Sequence, residues 1–190
     1  MVERRDLPLF AWGAALRAAR RRRTMLVRRS LFIAFGCACV GATIAAPPLP
    51  RLVWNASASA PLGLYAVAPG VPITRGDMVI ARVPQDVRDL AARRHYIPAN
   101  VPLVKRVAAV PGDVVCASGS AIGVNGEVVA RRLGSDRAGR PLPRWAGCRT
   151  LRNGAVLLLM TVRPDSFDGR YFGPTGPEDV LGKATLLWVW

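Results

Sequence analysis

The feature that most constrains this chain is an uncharged run from Leu31 to Pro48 directly behind a block of arginines. As a helix of about eighteen residues it would be roughly 27 Å long, close to the thickness of a bilayer's hydrocarbon core. Nine arginines precede the run, including Arg20 to Arg23 and Arg28-Arg29, and few charges follow it at once. Such flanks stay in the cytoplasm. The expected organisation is a basic cytoplasmic segment over residues 1–29, a transmembrane anchor over 30–48 and an extracytoplasmic domain over 49–190. A cleavable signal peptide would end in the small residues Ala42 to Ala46, but Pro47 and Pro48 are poor neighbours for a scissile bond and the basic lead is long. A buried core helix would suit Gly36, Cys37, Cys39 and Gly41, and the adjacent arginines argue against it. The stretch from Leu7 to Ala19 is too short to span and reads as a cytoplasmic amphipathic piece.

The remaining residues suffice for one hydrophobic core. Short alternating or apolar runs at Met78 to Val83, Leu103 to Val110, Val114 to Ala117, Val128 to Arg132, Ala155 to Met160 and Ala184 to Trp190 are separated by Gly, Pro or Asn-Gly and read as strands. Val124-Asn125-Gly126-Glu127-Val128 carries the signature of a type I′ hairpin. Only Gln85 to Arg94 has helical spacing. The expected fold class is mainly β, an antiparallel barrel-like domain, closed or half-closed, behind one N-terminal transmembrane helix.

The formal charge of +15 suggests nucleic acid, but its distribution does not. Residues 1–29 hold nine arginines against two carboxylates, so nearly half of the excess belongs to topology. The outer part has Arg93-Arg94 and Arg131-Arg132 without a nucleic-acid fold signature, and its basicity suits anionic lipid headgroups. Membrane lipid is therefore an expected partner and nucleic acid is not. Cys37 and Cys39 lie in the span and read as small apolar residues. Cys116 and Cys148 lie outside it, where an even pair in an oxidising compartment tends to form a disulfide. With no Cys-x-x-Cys pair or Cys/His cluster, neither a metal nor another cofactor is expected.

Against twenty-five arginines stand two lysines, and one of them, Lys105, lies inside the apolar run from Pro102 to Val110. Lysine, unlike arginine, can lose its proton when desolvated and then act as a base. Strand alternation puts Lys105 on one face with Leu103 and Val107, and Val104 with Arg106 on the other. Upstream, Ser59 precedes Pro61 and Gly63 in Asn55-Ala56-Ser57-Ala58-Ser59-Ala60-Pro61-Leu62-Gly63. Taken alone, Ser59 reads as a turn residue and Lys105 as a side chain whose ammonium reaches water. Together with Pro164-Asp165-Ser166-Phe167-Asp168-Gly169-Arg170-Tyr171 and the anchor they suggest a serine nucleophile with a lysine base. The single histidine, His95, reads as an exposed or capping residue.

Over roughly residues 30 to 190 these motifs resemble the signal peptidase I superfamily, and within it the conjugative-transfer, TraF-type, pilin-processing branch. The resemblance implies Ser59 as nucleophile and Lys105, followed by Pro111-Gly112-Asp113, as general base. It implies Ser57 as an oxyanion-hole hydroxyl and Ser166, Asp168 and Arg170 as supporting residues, with Tyr171 closing the late signature. Ala60 alone separates Ser59 from Pro61, and Arg163-Pro164-Asp165 stands where housekeeping enzymes carry Gly-Asp-Asn-Arg. Both departures point to the conjugative branch, as does Asp136-Arg137-Ala138-Gly139-Arg140-Pro141-Leu142-Pro143.

The implied protein is a serine endopeptidase of the bacterial inner membrane with a periplasmic catalytic domain. Its implied partners are an exported precursor, a prepilin, and other conjugative transfer proteins. The acyl-enzyme can resolve with water or with the substrate's own N-terminal amine, giving a cyclic product, and both outcomes stay open. The alternatives are a general secretory signal peptidase and a non-enzymatic anchored β module of a transfer apparatus.

Overall fold

The computed structural model describes residues 8–46 and 49–190, with two compact units meeting in sequence at Pro48 and Leu49. The first unit is a helix, α1 (Pro8–Ala45), opened by a proline whose fixed φ suits a first helical position. From Pro8 it runs unbroken through Ala19 into the apolar run, because this alanine-rich segment holds good helix formers. Leu7 itself, the rest of residues 1–7, and Pro47 and Pro48 at the end of the expected anchor lie outside the described residues. From Trp12 to Ala45 the helix is long and apolar enough to cross a membrane, with a mean hydropathy of 1.5 over its most apolar window. Leu31, Phe32, Ile33, Phe35 and Ile44 stand exposed along it, which suits lipid and not a protein core.

The second unit is built from two antiparallel sheets. The larger has the order β1 (Leu52–Asn55), β2 (Gly63–Ala68), β10 (Val180–Val189), β3 (Met78–Ala81), β4 (Leu103–Ala109) and β9 (Leu157–Leu159). The smaller has the order β7 (Glu127–Arg131), β6 (Ala121–Val124), β5 (Val114–Ser118) and β8 (Gly147–Thr150). Ala109 of β4 and Leu157 and Leu159 of β9 share a buried cluster with Val115, Ala117, Ile122 and Val124, so the second sheet packs on that end of the first. The antiparallel β class is as expected. The barrel is not closed by hydrogen bonds among the described residues: β1 and β9 are the edges of the larger sheet.

Local chemistry explains most elements. Asn125 and Gly126 take φ of 52° and 88°, the left-handed pair a type I′ turn requires, and they join β6 to β7 where the Asn-Gly signal stands. Helix α2 (Gln85–Arg93) follows Pro84 and buries Ala91 against Val83 and Leu103. Two elements outside the expected helix are short: α3 (Gly169–Phe172) and a 3₁₀ turn at Pro177–Asp179. Cys116 and Cys148 are register partners on β5 and β8 and are joined by a disulfide, while Cys37 and Cys39 are free.

On β4 the alternation is only partly as expected. Leu103, Lys105 and Val107 are buried and Arg106 is exposed. Val104, expected beside Arg106 on the polar face, is buried as well and packs with Tyr65, Val67 and Ile80. At this position both faces of β4 are covered, and a strand so covered loses the polar half of the alternation.

Candidate active site

β1 and β2 form a hairpin whose last register pair is Asn55 and Gly63, and residues 56–62 between them make the loop that holds Ser57 and Ser59. Gly63 has a φ of 147°, and a Cβ there would collide with the Trp188 carbonyl of β10, so the glycine lets the neighbouring strand close in. Inside the loop the Asn55 amide nitrogen donates to the carbonyls of Ser57 (3.0 Å), Ala60 (3.2 Å) and Pro61 (2.9 Å), and the Asn55 Oδ1 accepts the Ser57 N–H at 3.1 Å. The Tyr65 hydroxyl donates to the same Pro61 carbonyl at 2.9 Å. The two serine hydroxyls lie 2.9 Å apart, and the Ser59 N–H points at the Ser57 Oγ over 3.4 Å.

Lys105 enters from the opposite side. Its Nζ lies 2.9 Å from the Ser59 Oγ and 2.8 Å from the Ser166 Oγ, and the residue is only 2% exposed. Burial pushes the amine from the ordinary 10.5 down to about 8; the Asp168 carboxylate opposes the shift and the Arg170 guanidinium assists it. An amine so shifted is neutral near neutral pH in a far larger share of molecules than an ordinary lysine. In the neutral form Nζ–H can donate to Ser166, which leaves the lone pair free to accept the Ser59 O–H.

The turn carrying Ser166 is fixed by a buried ion pair. Asp168 is fully buried and accepts from Arg170 Nε at 2.8 Å, from the Arg170 backbone N–H as the N-cap of α3, and from the Met160 N–H at 2.9 Å. Arg170, 1% exposed, also donates to the carbonyls of Arg131, Pro164 and Met160. One guanidinium thus ties the turn to the end of β9 and to β7. Both charges have their hydrogen-bonding capacity used, the condition under which a buried pair is tolerated. Gly169 between them sits where a Cβ would meet the Leu158 carbonyl at 2.8 Å.

Ser57, Ser59, Lys105 and Ser166 line a cleft of about 880 Å³. Its far wall contains Arg94, Tyr96, Asp136 and Arg140, held together by a 2.6 Å hydrogen bond from the Tyr96 hydroxyl to Asp136 and by the Arg140–Asp136 ion pair. His95 also lines the cleft, with an exposed side chain and a φ of 58°. Leu103, Val104 and Lys105 line it too, and β9 pairs with β4 only from Arg106 to Ala109, so the second backbone edge of Leu103–Lys105 is free of that strand. Of the six residues expected from the sequence, Ser57, Ser59, Lys105 and Ser166 form one chain of hydrogen bonds, and Asp168 and Arg170 pair with each other behind the turn that carries Ser166. Asn55 and Tyr65 are additions: an asparagine two residues before a serine suggests a local turn, but its three carbonyl partners follow only from the hairpin register.

A β domain that carries a buried amine against a serine hydroxyl in an open cleft, behind a helix long and apolar enough to cross a membrane, has the makings of a hydrolase. The chain belongs to the signal peptidase family, peptidase S26, whose sequence profile matches residues 23–190. Two plasmid transfer proteins TraF from Escherichia coli are 37% and 34% identical to it over 146 residues, 72% of this chain and 82% of each relative. A conjugal transfer protein TraF from Agrobacterium fabrum is 32% identical over 144 residues, 68% of this chain and 78% of that one. A signal peptidase I from Enterococcus faecalis V583 superposes with a TM-score of 0.37 at 20% identity, over 62% of this chain and all of that one.

Proposed function

We propose that this chain is a membrane-anchored serine endopeptidase that uses Ser59 and Lys105 to process an exported precursor of a conjugative transfer apparatus, a prepilin. The observation that carries the reading is the position of Lys105 Nζ between two serine oxygens, at 2.9 and 2.8 Å, in a site that excludes water from the amine. Neutral Lys105 accepts the Ser59 proton as the Ser59 oxygen attacks the scissile carbonyl. The oxyanion accepts hydrogen bonds from the Ser57 hydroxyl and the Ser59 N–H. Protonated Lys105 then donates to the leaving amine, and the C–N bond breaks. Ser166 orients the amine throughout, and the Asp168–Arg170 pair holds the turn from which Ser166 reaches it.

The substrate lies extended, adding main-chain hydrogen bonds to the free edge of Leu103–Lys105. Water, activated by neutral Lys105, releases a linear product, and the substrate's own N-terminal amine releases a cyclic one. The arginines before the span support a topology with residues 1–29 in the cytoplasm, residues 30–48 in the bacterial inner membrane and the peptidase domain in the periplasm, beside other transfer proteins. The similarity to plasmid transfer proteins favours this reading over general secretory processing. Mass spectrometry of a prepilin co-expressed with the chain tests it: a cleaved product, with or without loss of water from ring closure, is expected. A precursor left intact, alongside processing of ordinary secretory precursors, would contradict it.

A further inference from the structure

Asn55 closes the hairpin that carries Ser59, and the chemistry proposed above makes no use of its side chain. That side chain is nonetheless 5% exposed and clamps the loop on both sides of the nucleophile. Upstream, Oδ1 accepts the Ser57 N–H and Nδ2 donates to the Ser57 carbonyl, which fixes the backbone from which the Ser57 hydroxyl projects. Downstream, the same Nδ2 donates to the carbonyls of Ala60 and Pro61. The Ser57 hydroxyl held in this way is the group 2.9 Å from the Ser59 Oγ and 3.4 Å from the Ser59 N.

We propose that Asn55 is a positioning residue for acyl transfer: from inside the loop it sets the Ser57 hydroxyl and the Ser59 N–H as an oxyanion-binding pair, without touching substrate. The inference rests on Ser59 being the nucleophile. It implies a specific kinetic pattern. A group that aims oxyanion donors acts on the transition state, so its loss lowers kcat and leaves KM unchanged. The Lys105 pocket is built by β4 and the Ser166 turn, so the acidic limb of the rate profile stays in place. Because Asn55 acts through Ser57, its removal costs little once the Ser57 hydroxyl is gone.

The test is a double-mutant cycle on the full-length chain in detergent, with a fluorogenic peptide spanning the junction found by mass spectrometry. Asn55→Asp keeps the shape and the Oδ1 acceptor but turns an oxygen toward the three carbonyls. It is expected to lower kcat about 10- to 100-fold, with KM unmoved; the acidic limb is read in Asn55→Ser, which adds no charge, and is expected to stay in place. The Asn55→Asp/Ser57→Ala variant is expected to be no slower than the slower single variant. A wild-type kcat in Asn55→Asp, a loss carried by KM, a shifted limb in Asn55→Ser, or fully multiplicative losses in the double variant would each overturn the inference. Melting temperature and the intact Cys116–Cys148 bond report folding. Should Asn55→Asp unfold, Asn55→Ser goes through the same cycle, and collapse of both would show that Asn55 serves the fold and not the chemistry. Ser59→Ala is the reference: if it keeps activity, the dyad and the role of Asn55 fall together, whereas an inactive Ser59→Ala beside a fully active Asn55→Asp overturns only the latter.

Discussion

Lys105 Nζ lies 2.9 Å from Ser59 Oγ across a sequence separation of 46 residues, and the amine is buried while the serine borders the cleft. The contact joins a strand in the interior of the larger sheet to the loop of the β1–β2 hairpin near that sheet's edge. Burial does the work that a neighbouring cation does in other activated lysines: it favours the neutral amine.

A pH profile follows from the sign of that shift. With Lys105 at about 8, kcat/KM should rise with pH and level off above that value, because the reactive form is the deprotonated one. Stability moves the same way. A lysine whose folded pKa lies below its unfolded one costs stability fully below about 8, and the cost disappears as pH rises from there toward 10.5. Lys105→Met, which keeps the apolar stem, is therefore expected to be inactive and to melt higher than the parent at pH 7. A flat rate profile between about pH 6 and 9 would contradict the assignment of Lys105.

The Asp168–Arg170 pair yields a folding prediction. Asp168→Asn leaves Arg170, 1% exposed, without its countercharge, and breaking a buried pair from one side costs about 3–5 kcal/mol. Denaturant unfolding should show a loss of that size. A loss no larger than that of an exposed pair such as Arg137–Asp165 would mean that Arg170 is satisfied by its carbonyl partners alone.

The disulfide makes a third prediction. Cys116 and Cys148 enclose a separation of 32 residues, so removing the bond should destabilise the domain by about 3–4 kcal/mol in the chain-entropy picture. Protein taken from cells and alkylated without reductant should label Cys37 and Cys39 and yield a Cys116–Cys148 peptide. Labelling of all four cysteines would contradict both the bridge and an oxidising location for the domain.

Much of this site is legible in the chain because its parts are locally marked. Ser59 stands before Pro61, Lys105 is a rare lysine in an apolar strand, and Asn125-Gly126 can hardly be other than a two-residue hairpin turn. What is not legible depends on register and on contacts between distant segments. β2 alternates cleanly in burial, yet none of its six residues is charged or strongly polar, so from sequence they show no two-residue alternation and merge with the turn. β8 is exposed throughout and has no apolar pattern to show; it exists because it pairs with β5 at the disulfide. The Tyr96–Asp136 hydrogen bond spans 40 residues that include the four strands β4 to β7, beyond the reach of any local signal. The burial of Val104 likewise depends on the packing of Tyr65 and Val67, which belong to the strand that goes unread.

The most direct measurement of the central claim is kcat/KM of a purified, folded Lys105→Arg variant. Arginine keeps the charge and most of the stem but does not give up its proton, so the base is removed while the cation stays. The expected result is a loss of at least about 10³-fold with the membrane-bound, disulfide-bonded fold intact. Activity within about tenfold of the parent would contradict a neutral lysine as the base that activates Ser59.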